Sequence, residues 1–307
     1  MTSVHRRGQG PWPTSNVDSV VSPWLHSRLG RVEESERSGM ARWLLDHVSG
    51  ETRGTRIVQD MRWTESQLDR LAVFAERLND GEPIQHVLGE AWFDGLCLKV
   101  NGDVLIPRPE TEELVAAMAT KALQMQKSSH AGAGPFRVVD WCTGSGCVAL
   151  ALKKRLPSAE VLGLEWSASA LDMAAGNAAS TGLEVVFESA DLLNATPPTE
   201  PFHLVVSNPP YIPESERDTL HARVTDHEPE VALFVPDDNP LVFYRALEAW
   251  CASGGLRQGG WLGMECHTEK AAEVADMLVA SGGWKHVEIL RDLQGMDRHV
   301  VACLGLP

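Results

Sequence analysis

Basic residues are in short supply. Lysine and arginine number 27 against 42 aspartates and glutamates, a formal net charge of −15 over 307 residues. A protein that lives on phosphate backbones carries the opposite balance, so direct DNA binding is not expected. C-x-x-C pairs are missing. The six cysteines (Cys97, Cys142, Cys147, Cys251, Cys266 and Cys303) are scattered. Neither a zinc site nor a disulfide framework follows, no metal is expected, and reduced thiols in a cytoplasmic protein are the simplest account. No apolar run is long enough to span a bilayer. The first residues carry charge but no apolar stretch of the signal-peptide kind, so no membrane partner is expected. There is no internal repeat. What is present is a 43% hydrophobic chain that can bury a full core, with a length that suggests about two domains.

Residues up to about Val17 are rich in Gly, Pro, Ser and Arg, and residues 1–17 read as loose. From there to Asn79 the apolar spacing is helical. Trp24, Leu25 and Leu29 share a face, as do Trp43, Leu44 and Val48, before Ser49-Gly50 stops that helix. Thr64-x-x-Gln67 is a capping box opening a helix with Leu68, Leu71, Phe74 and Leu78 on one face, closed by Gly81. This predicts a small all-helical N-terminal domain over residues 1–84, with its Trp and Leu positions in the core.

The pattern then changes. Ala91–Val100 and Asp103–Ile106 read as strands joined by Asn101-Gly102, a strong hairpin signal. This hairpin is the expected connector, residues 85–109. A helix from about Glu113 to Gln126 and a Ser/Gly/Ala-rich loop, Lys127–Pro135, follow within the second domain, residues 110–307. From Phe136 strands and helices alternate. Strands are predicted near Phe136–Asp140, Glu160–Leu164, Glu184–Phe187, His203–Ser207, Trp261–Glu265, His286–Leu290 and His299–Leu304. Helices are predicted near Val148–Arg155, Ala168–Ser180, Pro240–Ala252 and Glu269–Ala280. The fold class is therefore α/β: a doubly wound, mostly parallel, seven-stranded sheet covered on both faces. No helix separates the last two strands, so the final one is expected to run antiparallel.

Two loops at strand ends carry chemistry. Asp140-Trp-Cys142-Thr143-Gly144-Ser145-Gly146 follows the first strand of the second domain and opens a helix. Its glycines let the backbone approach a ligand, and the helix start favours an anionic group. About 20 residues on, Glu165 ends the next strand, where an acid takes a ribose hydroxyl pair in doubly wound folds. Asp191 follows the third strand. A nucleoside-bearing ligand is implied by position; taken singly, either acid could be a solvated strand end. Cys142 reads as a small buried side chain, not a nucleophile. The second loop, Ser207-Asn208-Pro209-Pro210-Tyr211, ends a buried strand. Proline gives the ladder no N–H, so the backbone there offers only carbonyls. Asn208 and the Pro209 carbonyl can accept the two N–H bonds of a planar NH2 group, with Tyr211 packing on its plane. A plain proline turn closing the strand is the alternative.

Together these residues resemble a family. DWCTGSGCVALAL, Glu165, ADLL and VVSNPPYIPESE are similar to class I S-adenosylmethionine (SAM) methyltransferases acting on amino nitrogens. EPIQHVLGEAWFDGL, VLIPRPETEELV, HEPEVALFVPDDNPLVFYR and RDLQGMDRHVVACL resemble the release-factor glutamine methyltransferases within that group, over nearly all of Trp24–Leu304. The resemblance implies methyl transfer from SAM to the side-chain amide nitrogen, N5, of the glutamine in the Gly-Gly-Gln motif of class I peptide chain release factors. By position, Cys142–Gly146, with Asp140 before it, would hold the methionine part of SAM. Glu165 would take the ribose, and Asp191 and Leu192 would line the adenine pocket. Asn208, Pro209, Pro210 and Tyr211 would bind and orient the amide, Asn208 also facing the cofactor. The helical domain would contact the substrate protein. Departures are Cys142 for the first loop glycine and Leu192 for an aromatic residue.

Two rival readings share the Asn-Pro-Pro-Tyr logic. A ribosomal-protein glutamine methyltransferase is disfavoured by Pro109-Glu110-Thr111-Glu112, where that branch tends to carry Ser after the arginine-proline step. A nucleic-acid amino methyltransferase of the N6-adenine type is disfavoured by the net charge. The segment Ile212–Asp238, long and irregular, reads either as a flap over the substrate glutamine or as a solvated excursion. No dedicated base is required, and His227 and Glu228 are expected to serve the loop's packing.

Overall fold

The computed structural model describes residues 8, 10–127 and 134–305. The chain divides into two compact units, Met1–Gly89 with Ala222–His227, and Glu90–His221 with Glu228–Pro307.

The first unit is helical: α1 (Asp18–Arg28), α2 (Glu34–Ser49), α3 (Arg53–Val58), α4 (Glu65–Asn79) and α5 (Ile84–Leu88). Its core gathers Val21, Leu25, Leu29, Leu44, Val48, Trp63, Leu71 and Leu78. The predicted capping box forms: Gln67 N–H donates to Thr64 Oγ1 at 3.2 Å, and Thr64 N–H to Gln67 Oε1 at 2.9 Å. Gly50 ends α2 with a left-handed φ of 72°. Trp43, expected in the core, is 47% exposed. The Arg56 guanidinium is buried but satisfied by Asp18, Asp46 and the Glu51 carbonyl. Of the segment 1–17, expected to be loose, residues 1–7 and 9 lie outside the described residues. Among the rest, residues 10–12, 14 and 15 are exposed, but Trp12 stacks on Trp24, centroids 6.2 Å apart, and Trp63 N–H donates to the Asn16 carbonyl at 2.8 Å. Residues 222–227 also belong to this unit, where Arg223 pairs with Glu36 at 2.7 Å.

The second unit opens with the hairpin β1 (Glu90–Phe93) and β2 (Leu96–Lys99). The expected turn at Asn101-Gly102 is corrected: the reversal occurs at Asp94-Gly95, whose φ angles of 48° and 69° are both positive. A two-residue hairpin with the sheet's twist demands that, and Asp-Gly supplies it as readily as Asn-Gly. Asn101 instead makes a local turn, its Oδ1 accepting the Asp103 N–H at 3.0 Å, and residues 103–106 are not a strand. Helix α6 (Pro109–Lys127) follows. Of the expected loop Lys127–Pro135, residues 128–133 lie outside the described residues.

The doubly wound part runs β3 (Arg137–Trp141), α7 (Cys147–Arg155), β4 (Glu160–Glu165), α8 (Ala168–Thr181), β5 (Val186–Ser189) and β6 (Phe202–Ser207). Next come β7 (Ile212–Pro213), the short α9 (Ala222–Thr225, the part that belongs to the helical unit), β8 (Phe234–Val235), α10 (Val242–Trp250), β9 (Leu256–Glu265), α11 (Ala271–Ser281), β10 (Trp284–Arg291) and β11 (Asp297–Leu304). The seven-stranded order is β10-β11-β9-β6-β3-β4-β5. All pairs from β9 to β5 are parallel, and β11 is antiparallel to both neighbours, as the missing last crossover predicts. Period-two alternation sends Val138, Leu204 and Val206 into one core with α6 and α7, and Val139 and Val205 into the other with α10 and α11. Segment 212–238 is not featureless. β7 pairs with β8, and 3-10 helices at Glu214–Thr219 and Glu230–Ala232 order part of what lies between.

Candidate active site

The site lies where the strand order reverses. β3 and β6 are parallel neighbours, and Trp141 stands opposite Ser207 at their carboxyl ends. The loops that leave these ends therefore face one crevice, the usual ligand position in open α/β sheets. A cavity of about 400 Å³ opens there, and all its lining residues come from the second unit.

The loop after β3 is bent by three left-handed residues: Cys142 (φ 58°), Gly144 (φ 55°) and Gly146 (φ 81°). Asp140 braces it from below. Its Oδ2 accepts the Thr143 hydroxyl at 2.5 Å and the Ala149 N–H at 3.1 Å. Asp140 is buried and is not in the cavity wall, so its place is beneath the glycine loop and not on its surface. Burial lifts its carboxyl to about 7, opposed by the two donors. Cys142, Thr143, Gly144 and Ser145 line the cavity; Gly146 does not. Burial and the nearby Glu165 push the Cys142 thiol up, which suits an inert side chain better than a nucleophile.

Glu165 closes β4 in the cavity wall. Its carboxylate accepts the N–H groups of Gly144, Trp166 and Ser167 at 2.9, 2.9 and 3.0 Å. Asp191 and Leu192 are also in the wall, where Asp191 caps its own 3-10 turn by accepting the Leu193 N–H at 3.0 Å. Trp166, 65% exposed and lining the same cavity, was not singled out from sequence. Its signal was its place directly after the strand-end acid.

Asn208 and Pro210 line the cavity, but Pro209 and Tyr211 do not. The Tyr211 ring does not cover a flat group in the cavity: its hydroxyl reaches Glu265 at 3.2 Å and its ring meets His267 edge-on, centroids 6.2 Å apart. Asn208 Nδ2 donates to Thr111 Oγ1 at 3.2 Å, and Thr111 donates to Glu265 Oε2 at 2.6 Å. Burial raises the Glu265 carboxyl, opposed first by the Thr111 hydroxyl and then by Arg298. Thr111 and Glu265 escaped the sequence reading; an acid closing a buried strand, as Glu165 does, was the available clue. Glu228 is buried and accepts the Ile106 N–H at 3.0 Å and Arg108 at 2.5 Å, the packing role expected of it.

Comparison with known proteins decides the family. The family profile described as "PrmC N-terminal domain" matches residues 24–89, and that described as "Methyltransferase small domain" matches residues 118–227. A release factor glutamine methyltransferase of Chlorobaculum tepidum is 39% identical over 264 residues, 84% of this chain and 87% of that one. The chain belongs to the release factor glutamine methyltransferase family. Family members named in the same way from Deinococcus radiodurans and Bradyrhizobium diazoefficiens are each 36% identical. They cover 90% and 96% of this chain and 94% and 97% of their own. Among solved structures, the hMettl16 catalytic domain in complex with the MAT2A 3'UTR hairpin 6 has a TM-score of 0.53 at 16% identity, covering 77% of this chain and 82% of that one. That likeness is one of fold.

Proposed function

We propose that the protein transfers a methyl group from SAM to the side-chain amide nitrogen (N5) of the glutamine in the Gly-Gly-Gln motif of class I peptide chain release factors. It is a protein glutamine methyltransferase by family. The observation that carries the reading is the placement of Asn208 in the wall of the same cavity as Gly144 and Glu165. Donor loop and amide site share one chamber.

The wall suits SAM. Glu165 offers a carboxylate for a diol, and Trp166 and Leu192 offer apolar surface for a nucleobase. At Gly144 an added Cβ would meet no atom within 4 Å, so the backbone there borders open space. When bound, SAM supplies an electrophilic methyl on a sulfonium. The chain's own residues do the rest. An amide nitrogen is a poor nucleophile because its lone pair is delocalised into the carbonyl. Asn208 Oδ1, in the cavity wall, accepts one of its N–H bonds, which limits the rotation of the NH2 group. Catalysis is then positioning and electrostatics, and well-held geometry supplies roughly 7–11 kcal/mol of barrier reduction. As the N–C bond forms and the S–CH3 bond breaks, the amide proton grows acidic and leaves to solvent water, so neither His227 nor Glu228 is needed as a base.

The substrate places the enzyme with the translation machinery in the cytoplasm. Among the described residues no helix is long and apolar enough to cross a membrane, and no His/Cys/Asp/Glu cluster could hold a metal ion. The helical unit, residues 1–89, provides a surface for the release factor, and segment 212–238 a cover for the bound glutamine. The deciding assay incubates the protein with labelled SAM and, separately, a release factor, its Gly-Gly-Ala version, ribosomal proteins and DNA. Label is expected on the first alone; label on ribosomal protein or DNA instead overturns the reading.

A further inference from the structure

We propose that Thr111 and Glu265 are positioning residues for Asn208: they impose a direction on a chain of hydrogen bonds, so that the Asn208 amide keeps its nitrogen turned inward and its carbonyl oxygen free for substrate. The inference rests on the reading of Asn208 as an acceptor for the glutamine amide.

Three elements converge here. Thr111 lies in the first turn of α6, Asn208 just past β6, and Glu265 at the end of β9, separated in sequence by 97 and 154 residues. Thr111 and Glu265 are each 1% exposed. The Glu265 backbone is held too: its carbonyl accepts the Tyr244 hydroxyl at 3.2 Å, and it pairs with His299 across the sheet.

The direction follows from proton inventory. An ionised carboxylate only accepts. A buried one needs donors, and Glu265 has two: Thr111 at 2.6 Å on one oxygen and Tyr211 at 3.2 Å on the other. Thr111 has one hydroxyl proton, and Glu265 takes it. Toward Asn208 the threonine then offers only lone pairs, so the Asn208 group 3.2 Å away must be the NH2. Among the described residues none engages the Asn208 oxygen, which is left as an acceptor for a substrate N–H. Were the amide reversed, its NH2 would meet the substrate NH2, donor against donor.

The relay depends on the charge of Glu265. The groups around it are Arg298 and His299 on β11, Glu110 on α6, and Tyr211 and Cys266 beside it. Arg298 is in turn held by Asp292 at 3.3 Å. Burial raises the Glu265 carboxyl above its usual range, so it gains its proton earlier on acidification than an exposed glutamate. A protonated Glu265 can donate to Thr111, and the amide direction is no longer imposed.

The test compares wild type with Thr111→Val, Thr111→Ser and Glu265→Gln, using labelled SAM and a release factor. Thr111→Val and Glu265→Gln are expected to lower kcat roughly 10- to 100-fold, with SAM affinity within about 2-fold of wild type, as for lost orientation of a reacting group. Thr111→Ser, which keeps the hydroxyl, restores turnover. The acid limb of kcat against pH is expected in wild type and absent in Glu265→Gln. Selective 15N labelling of asparagine gives a readout apart from activity: the Asn208 side-chain NH2 signals shift in Thr111→Val and Glu265→Gln and stay in place in Thr111→Ser. Wild-type turnover by Thr111→Val, a Thr111→Ser as impaired as Thr111→Val, or NH2 signals that do not move overturn the proposal. If wild type labels no release factor, the substrate reading falls, and the NH2 signals still decide whether the relay orients Asn208.

Discussion

The Glu165 carboxylate accepts the backbone N–H of Gly144 at 2.9 Å, tying the end of β4 to the loop that leaves β3. The same carboxylate takes the N–H groups of Trp166 and Ser167 as α8 begins. One side chain thus shapes the glycine loop, anchors the next helix start and faces the cavity. Glu165→Gln removes the charge and sets an NH2 against one of these N–H donors. Charge-assisted hydrogen bonds contribute about 1.5–3 kcal/mol each, so SAM affinity is expected to fall roughly 10- to 100-fold. Calorimetric titration with SAM measures it; unchanged affinity would show that Glu165 serves the fold alone.

Asn208→Ala removes the acceptor proposed for the substrate amide and leaves the glycine loop and Glu165 untouched. Methyl transfer is expected to drop by about 10²–10³-fold or more, the scale for losing one preorganised polar contact. SAM binding survives. Near-normal turnover would refute the role given to Asn208.

Gly163, in β4, supports the loop from beneath. An added Cβ would lie 2.4 and 2.5 Å from the Phe187 ring and 3.0 Å from Thr143 Oγ1. Gly163→Ala is expected to cost about 1–3 kcal/mol, the usual range for overpacking. Thermal unfolding reads the loss, and Phe187→Leu in the same chain should recover part of it. A double variant no more stable than the single one would place the strain elsewhere.

Two buried groups give opposite pH dependences. Burial lifts the Asp140 carboxyl to about 7, so the folded chain holds a proton that the unfolded chain releases near its ordinary value of 3.8. Its contribution to stability is greatest at low pH and declines as pH rises through about 7. Burial also depresses His299 to about 4, the Glu110 carbonyl opposing. Its contribution is present above the ordinary 6.5 and is lost as pH falls toward about 4. In wild type the two largely offset between those limits. Denaturant titrations across pH 4–8 should separate them. Asp140→Asn is expected to gain on wild type as pH rises, and His299→Gln to gain as pH falls. Curves parallel to wild type would sink both assignments.

Several local physical signals in the sequence were sufficient. The Thr64–Gln67 box, the glycine stop at 50 and the alternation from Phe136 onward each act over a few residues, and the structure has all of them. The hairpin shows where local signals run out: Asp94-Gly95 and Asn101-Gly102 carry the same turn chemistry, and only pairing of Ala91 with Leu98 chose between them. Trp43 misled for a similar reason, since helical spacing places a residue on a face without saying how wide the buried face is.

The sequence by itself placed the glycine loop, Glu165 and the Asn-Pro-Pro turn at strand ends, because Gly, Pro and acid residues there act through their own backbone and charge. Only the folded chain decided what stands behind them. Thr111, Asn208 and Glu265 share no spacing that a linear pattern could expose, and Asp140 sits under its loop, where it accepts the Ala149 N–H of the helix that follows. A buried hydrogen bond joins whatever the topology brings within about 3 Å, and for this relay that distance is set by two strands and a helix together.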